Sequence, residues 1–198
     1  SEIRDMTMRA DILIENATVI DGTGQPVILG GVAVTGGEIS AVGDISEYTS
    51  DHVIDGTDKV VAPGFIDCHT HDDRALLDDP DMACKVTQGV TTVVTGNCGV
   101  SLAPFVPDED WEMPVPMALL GSKQQYRFPS FDDYAKAFKH AMPSINAAML
   151  CGHNTLRAEA MQGDVSRPAD PASERKQSVW AVMRIGNAAS SSTSPDTV

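Results

Sequence analysis

The second part of the chain alternates strand-like and helix-like segments, and this alternation limits the folds open to it. Apolar, strand-like runs occupy residues 61–67, 90–95 and 145–151, while helical patterns lie at about 80–88 and 130–143. Strands that alternate with helices form parallel sheets joined by right-handed crossovers. The pattern therefore predicts an α/β architecture with at least three parallel strands.

The signals for the ends of the helices are clear. Gly89 is the expected C-terminal stop of the first helix. Ser130, with Asp133 three residues later, is typical of a helix N-terminus, and Pro143 ends that helix. One helical face is predicted to be apolar, and it carries Phe131, Tyr134, Ala135, Phe138 and Met142.

Residues 10–61 follow a different pattern, with short β-branched runs separated by glycine-containing pairs. The pairs are Asp21-Gly22, Gly30-Gly31, Gly36-Gly37 and Asp55-Gly56. Such spacing is typical of short strands joined by turns. We therefore predict a small β-domain over residues 1–62.

Three side chains have the spacing and chemistry of metal ligands. His69 and His71 are two apart at the end of the run 61–67, so on a strand both imidazoles leave the same face. Cys98 follows the run 90–95 and is flanked by Gly96-Asn97 and Gly99. Two imidazoles and a thiolate favour zinc over magnesium or calcium. An isolated His-x-His is a weak signal, and its context strengthens it here.

The other cysteines are predicted to be structural. Cys68 alternates away from the face of the two histidines, and Cys84 lies in a helix-like segment, so both are expected in the core. Cys151 is ambiguous, with packing favoured. No Cys-x-x-Cys pair is present, which fits a reducing compartment.

Charge and hydropathy patterning exclude several classes of partner. The formal net charge of −14 opposes binding to nucleic acid and to anionic membranes. Residues 1–5 are acidic and lack an apolar signal region, and no run approaches the length of a membrane span. We therefore expect a cytoplasmic protein without nucleic-acid or membrane partners.

These motifs together resemble the amidohydrolase superfamily and, within it, the D-aminoacylases (N-acyl-D-amino-acid deacylases). The resemblance covers about residues 10–160; the opening at 10–24 and the His-x-His strand resemble the superfamily in general. The motifs Gly-Asn-Cys-Gly at 96–99 and Gly-His-Asn-Thr-Leu-Arg at 152–157 point to D-aminoacylases. In the resembled superfamily, most related hydantoinases and dihydroorotases use a carboxylated lysine as the metal-bridging ligand, whereas the D-aminoacylase branch uses a cysteine after the second strand.

The resemblance implies a fold, an activity and roles for residues. It implies a partial metal-dependent-hydrolase (β/α)8 TIM barrel, about three of eight strands, with the small N-terminal β-domain. It implies zinc held by His69, His71 and Cys98, and hydrolysis of a small-molecule N-acyl-D-amino acid to a D-amino acid. His153, at the end of the third strand, is predicted to bind substrate.

The remaining catalytic parts are expected elsewhere. In the resembled family two further histidine ligands and an aspartate base lie in later βα units, so no catalytic base is identified here and one is expected beyond Val198. Residues 63–186 are read as the first βα units, including a helix over 171–185, and residues 187–198 as a polar tail. The chain is expected to be truncated, with an oligomer contact or partner chain covering the open barrel edge.

Several alternatives remain open at the level of sequence. The chain could be an inactive metal-binding fragment or one subunit of a split assembly. It could also be another cyclic-amide or dipeptide hydrolase of the same superfamily, although Cys98 argues against that. The long segment 104–129 is predicted to be either part of a substrate lid or a tolerated surface insertion.

Overall fold

The computed structural model describes residues 7–174, and the chain divides into two compact units, Ser1–Pro63 and Gly64–Val198. The predicted tail at 187–198 lies outside the described residues. The same holds for most of the helix predicted at 171–185, of which residues 171–174 are helical.

The described part of the first unit, residues 7–63, contains seven strands. A five-stranded sheet has the order β4-β3-β2-β6, with β7 also paired to β2, and β1 pairs with β5 as a separate parallel ribbon. The strands are β1 (Met8–Arg9), β2 (Ile12–Val19), β3 (Ile28–Thr35), β4 (Glu38–Gly43), β5 (Tyr48–Thr49), β6 (Val53–Asp55) and β7 (Val60–Val61).

Glycines shape this sheet in two different ways. Gly36 and Gly37, at φ 60° and 80°, form a two-residue turn between β3 and β4, where positive φ at both positions suits the strand twist. The prediction that Gly30-Gly31 would separate two strands is wrong, because β3 runs through them. A Cβ atom at Gly30 would lie 2.2 Å from the carbonyl oxygen of Gly43, so glycine there permits close strand approach.

A bulge lets β2 bury residues on both of its faces. The register with β3 shifts by one residue between Ile14 and Ala17, which reverses the alternation of side chains beyond that point. Leu13 therefore packs in one apolar cluster, with Ala33, and Val19 in another, with Val32. These two small clusters form the core of the first unit.

The second unit contains the parallel sheet that the sequence predicts. Its strands β8 (Phe65–Asp67), β9 (Val90–Thr95) and β10 (Asn146–Met149) have the order β10-β9-β8, and all are parallel. The second strand has the predicted bounds. The first predicted strand, 61–67, is too long, because Val60–Val61 pairs with β2 in the first unit instead.

The helices differ from prediction at the first crossover and agree at the second. Two short helices, α1 (Ala75–Asp78) and α2 (Ala83–Val86), replace the single helix predicted at 80–88. Helix α3 (Phe131–Ala141) begins as predicted, since the Ser130 hydroxyl accepts a hydrogen bond from the Asp133 N–H at 3.0 Å. Helix α4 (His153–Ala160) follows β10 directly.

One residue assigned to the apolar face of α3 is misplaced. Phe131 and Tyr134 are buried as expected. Met142 is the left-handed C-terminal cap, with φ 48°, and the residue is 80% exposed. The left-handed cap ends the helical repeat, so the side chain of Met142 does not continue the apolar face of α3.

The long segment 104–129 is a packed part of the core and not a surface insertion. It carries 3₁₀ helices at Val115–Leu120 and Lys123–Gln125. Phe105, Met117, Leu120, Tyr126 and Phe128 from this segment pack with α3 and α4 residues in the largest apolar cluster of the described chain. The lid interpretation stays a prediction.

Hydropathy along the helices also bears on membrane insertion. Within residues 7–174, none of the helices combines the length and apolar character that crossing a bilayer requires.

Candidate metal centre

The two histidines of the His-x-His motif lie just past the end of β8. The strand ends at Asp67, so His69 and His71 occupy the loop at its carboxyl end and not the strand itself. Their rings lie 5.8 Å apart between centroids and are inclined by 76°. Both imidazoles therefore belong to one short loop at the edge of the sheet where ligands of parallel α/β folds bind.

Cys98 lies in a tight loop that follows the neighbouring strand β9. Gly96, Cys98 and Gly99 all have positive φ, at 77°, 54° and 75°. A Cβ atom at Gly96 would lie 2.0 Å from the carbonyl oxygen of Leu150, so that position accepts only glycine. A left-handed conformation costs a residue with a Cβ atom about 1–2 kcal/mol, so the surrounding structure must hold Cys98 in place.

The loops bring the three predicted ligands together. One ligand atom from each of His69, His71 and Cys98 lies within 4.8 Å of the others, and His69 Nε2 is 3.2 Å from Cys98 Sγ. A tetrahedral zinc ion holds its nitrogen and sulfur ligands roughly 3.5 Å apart, since the bonds are about 2.0–2.3 Å long. The donor set and its spacing thus fit a zinc ion after small side-chain rotations.

An unpaired nitrogen supports the same fit. His71 Nδ1 is buried and has no hydrogen-bond partner in the structure. Buried polar atoms are nearly always paired, and an unpaired one at a cluster of ligand atoms is suited to bind an ion or water. A metal ion or its ligand shell would satisfy this atom.

A lysine from α2 brackets the His-x-His loop. Lys85 Nζ lies 2.6 Å from Asp67 Oδ2 and 3.0 Å from Asp72 Oδ2, and its side chain is 18% exposed. The hydrogen bond from Lys85 lowers the pKa of Asp67, and the bond to Asp67 raises the pKa of Lys85. Asp67 also accepts a hydrogen bond from the His69 backbone N–H at 3.3 Å. The ammonium group of Lys85 therefore binds the carboxylates that flank the His-x-His loop on both sides.

The buried carboxyl group of Asp73 links the two loops that carry the ligands. Asp73 is 1% exposed and accepts a hydrogen bond from the Gly96 N–H at 3.3 Å. Its backbone carbonyl accepts a bond from the hydroxyl of the buried Tyr134 at 2.8 Å. Burial raises the pKa of Asp73 to about 6, and the nearby charge of Asp72 acts in the same direction.

His153 lies just past the carboxyl end of β10, as the sequence predicted. It is the first residue of α4 and is exposed. The neighbouring Asn154 donates from Nδ2 to the Cys98 carbonyl oxygen at 3.4 Å, so the start of α4 adjoins the cysteine loop. Substrate binding by His153 stays a prediction.

The remaining cysteines differ from expectation. Cys68 and Cys84 are exposed, so their prediction as core thiols is wrong. The short strand β8 ends before Cys68, which therefore does not follow the strand alternation. Cys151 is half-buried and packs against the main apolar cluster, as favoured.

Sequence reasoning missed the residues that support the ligands. The sequence contains no signal for Lys85, because its pairing depends on how the 75–88 segment folds back on the loop. Asn97 was visible inside the Gly-Asn-Cys-Gly motif, yet its partners lie on strand β9 and on the histidine loop. Only the tertiary structure shows these contacts.

Comparison with known proteins identifies the family. The model of the amidohydrolase family Amidohydro_3 matches residues 52–190. N-acyl-D-aspartate deacylase from Alcaligenes xylosoxydans xylosoxydans is 45% identical over 172 residues, which cover 87% of this chain and 34% of that protein. The chain therefore belongs to the amidohydrolase family.

Solved structures show the same relationship. A D-aminoacylase studied for the role of its binuclear metal centre matches with a TM-score of 0.79 and 46% identity, over 87% of this chain and 35% of that one. N-acyl-D-glutamate deacylase from Bordetella bronchiseptica, complexed with zinc and a phosphonate inhibitor, matches with a TM-score of 0.78 and 35% identity, over 90% and 37%. The predicted fold class is confirmed. The chain spans about a third of the length of the relatives it matches.

Proposed function

We propose that this chain supplies ligands to the zinc site of an N-acyl-D-amino-acid deacylase. The observation that carries the proposal is the approach of His69 Nε2 to Cys98 Sγ at 3.2 Å, with a ligand atom of His71 inside the same 4.8 Å cluster. The Cys98 thiolate distinguishes this site from those of related hydrolases, in which a carboxylated lysine accompanies the imidazole ligands.

The residues of the site divide into ligands and supports. His69 and His71 would bind the ion through imidazole nitrogen, and Cys98 through its sulfur. A bound zinc ion would supply Lewis-acid activation of water and of the amide carbonyl. Asp67 accepts a hydrogen bond from the His69 backbone N–H, and Lys85 pairs with the carboxylates of both Asp67 and Asp72.

We assign no general base among the described residues. Asp72 is paired with Lys85, and Asp73 is buried beneath the loops with its carboxylate bonded to Gly96. Both carboxylates are therefore engaged in structural contacts. We propose that the base comes from a part of the active site that these residues do not form, in keeping with the third of the relatives' length that the chain spans.

The substrate proposal rests on the relatives. Those matched are named for deacylation of N-acyl-D-aspartate and N-acyl-D-glutamate and as D-aminoacylase. Their shared chemistry is hydrolysis of an N-acyl bond on a D-amino acid. We propose the same class of small-molecule substrate for this protein, without assigning the acyl group or side chain.

The test combines metal binding with stereospecific hydrolysis. Zinc content and affinity are measured for the protein and for Cys98→Ala and Cys68→Ala, a matched pair of exposed thiols on neighbouring loops. Release of D-amino acid from N-acetyl-D-aspartate, -glutamate and -methionine is compared with the L-enantiomers. We expect Cys98→Ala alone to lose zinc affinity, by about 10-fold or more.

The outcomes separate the alternative functions. Zinc binding without hydrolysis would favour the inactive fragment or the subunit of a split assembly. Hydrolysis of a cyclic amide or dipeptide in preference to N-acyl-D-amino acids would favour the other hydrolases of the superfamily. Unchanged zinc affinity in Cys98→Ala would contradict the assignment of the site itself.

Two further expectations stay proposals. A cytoplasmic location is supported by four free thiols, three of them exposed. A covering oligomer contact or partner is supported by exposed apolar residues on the three-stranded sheet, among them Phe65 and Ile66.

A further inference from the structure

The side-chain amide of Asn97 connects the two loops that carry the metal ligands. Its Nδ2 donates to the Val94 carbonyl oxygen at 2.7 Å and lies 3.4 Å from the Thr70 carbonyl oxygen. Thr70 stands between His69 and His71. Because both partners are carbonyl acceptors, the contacting atom must be the amide nitrogen, and this fixes the orientation of the side chain.

The hydrogen bonds of Asn97 lie in a partly buried part of the site. Asn97 is half-buried, and the Thr70 N–H donates to the same Val94 carbonyl oxygen at 3.3 Å. The end of β9, the histidine loop and the cysteine loop therefore meet at one carbonyl group. The Gly96 N–H adds a second connection, to Asp73 on the histidine loop.

The backbone of the cysteine loop explains why such a connection is needed. Cys98 has a left-handed conformation between Asn97 and Gly99, which a residue with a Cβ atom rarely adopts. Strained conformations persist only where the surroundings hold them. Asn97 precedes Cys98 directly, and its two amide hydrogen bonds tie the cysteine loop to the end of β9 and to the histidine loop.

We propose that Asn97 is a positioning residue: it holds Cys98 Sγ beside the His69–His71 pair before metal binds. The inference rests on the proposed zinc site and assigns Asn97 a supporting role through its hydrogen bonds to Val94 and Thr70. Loss of the amide would free the cysteine loop to relax from its left-handed conformation. The thiolate would then move away from the imidazoles, and the metal would be held by fewer ligands.

The test measures metal binding and not only activity. Asn97→Ala removes both hydrogen bonds without adding charge. Asn146→Ala is the matched control, because Asn146 Nδ2 donates to the Thr91 carbonyl oxygen at 3.3 Å, near the start of strand β9, whereas the cysteine loop follows its end. Zinc and cobalt affinities are determined by competition titration, and the thiolate-to-cobalt charge-transfer absorption reports whether sulfur binds the ion.

We expect Asn97→Ala to bind cobalt about 10- to 100-fold more weakly, the range found for residues that support metal ligands, and to lose charge-transfer intensity. Asn146→Ala should keep the affinity and spectrum of the unsubstituted protein. Circular dichroism of the metal-free proteins checks folding. If Asn97→Ala does not fold, Asn97→Ser, which keeps one short donor, is measured with the same expected direction.

Two results would overturn the inference and are distinguishable. Full affinity with an unchanged charge-transfer band in the Asn97 variant would reject the role of Asn97 and leave the zinc site standing. Failure of the unsubstituted protein to bind either ion through sulfur would reject the proposed function together with this inference.

Discussion

Replacing Asp73 with asparagine should stabilise the protein at neutral pH. Asp73 is 1% exposed, and burial raises the pKa of its carboxyl group to about 6 from an ordinary 3.8. The folded state therefore keeps this proton over a pH range in which the unfolded chain has lost it. The contribution of protonated Asp73 to the free energy of unfolding is fully present below about pH 4 and is lost as the pH rises through about 6.

The magnitude follows from the pKa difference. The interval between 3.8 and about 6 corresponds to roughly 3 kcal/mol of unfavourable free energy for the buried carboxylate above pH 6. Asparagine is neutral at every pH, and its side-chain oxygen can still accept the hydrogen bond from the Gly96 N–H. Asp73→Asn should thus gain up to about 3 kcal/mol near pH 7.5 and only about 0.5 kcal/mol near pH 4.

The assay is urea unfolding of chelator-treated, metal-free protein at both pH values. Other titrating groups act on the parent and the variant alike, so the difference between them isolates Asp73. Asp21→Asn is a control of opposite sign, since bonds from Thr23 lower the pKa of the exposed Asp21 and the variant should lose stability at neutral pH. A stability difference independent of pH, or a destabilised Asp73→Asn at pH 7.5, would refute the reasoning.

Three further predictions concern packing and the ligand loops. Gly96→Ala places a Cβ atom 2.0 Å from the Leu150 carbonyl oxygen at a φ of 77°, so we expect more than about 2 kcal/mol of lost stability and weaker zinc binding, by urea unfolding and competition titration. Leu120→Ala, at 2% exposed, should cost about 2–5 kcal/mol in urea unfolding, while its neighbour Leu119→Ala, at 55% exposed, should cost under about 1. Lys85→Met leaves two half-buried carboxylates without their cation, and the thermal midpoint should fall by an amount equivalent to about 1–3 kcal/mol. Equal losses for the two leucines, or an unchanged midpoint in Lys85→Met, would contradict these assignments.

The sequence by itself determined the features that depend on neighbouring residues. The run 90–95 becomes a strand with the predicted bounds, because six β-branched residues between two glycines favour no other element. Ser130 begins α3 because its hydroxyl satisfies an N–H three residues away. The resemblance that pointed to the amidohydrolase family also rested on short contiguous motifs, and family comparison bears it out.

The sequence pattern predicted the structure less well where a residue's role depends on contacts with another strand. Gly30 resembles a turn residue in sequence, but it lies inside β3 because strand β4 approaches closely there. Val61 continues an apolar run into Phe65, yet it pairs with Val19 in the first unit. Local periodicity cannot distinguish these cases, since the competing partner lies on a separate strand.

The candidate metal centre shows the same division. Residue types and strand ends predicted that His69, His71 and Cys98 belong together, and the tertiary structure brings their ligand atoms within 4.8 Å; metal binding itself stays a prediction. The left-handed backbone at Cys98, the charge of Lys85 between two carboxylates and the amide of Asn97 between two loops were decided only by folding. These features arise where separate strand ends converge, so their energies depend on contacts between loops that no local pattern encodes.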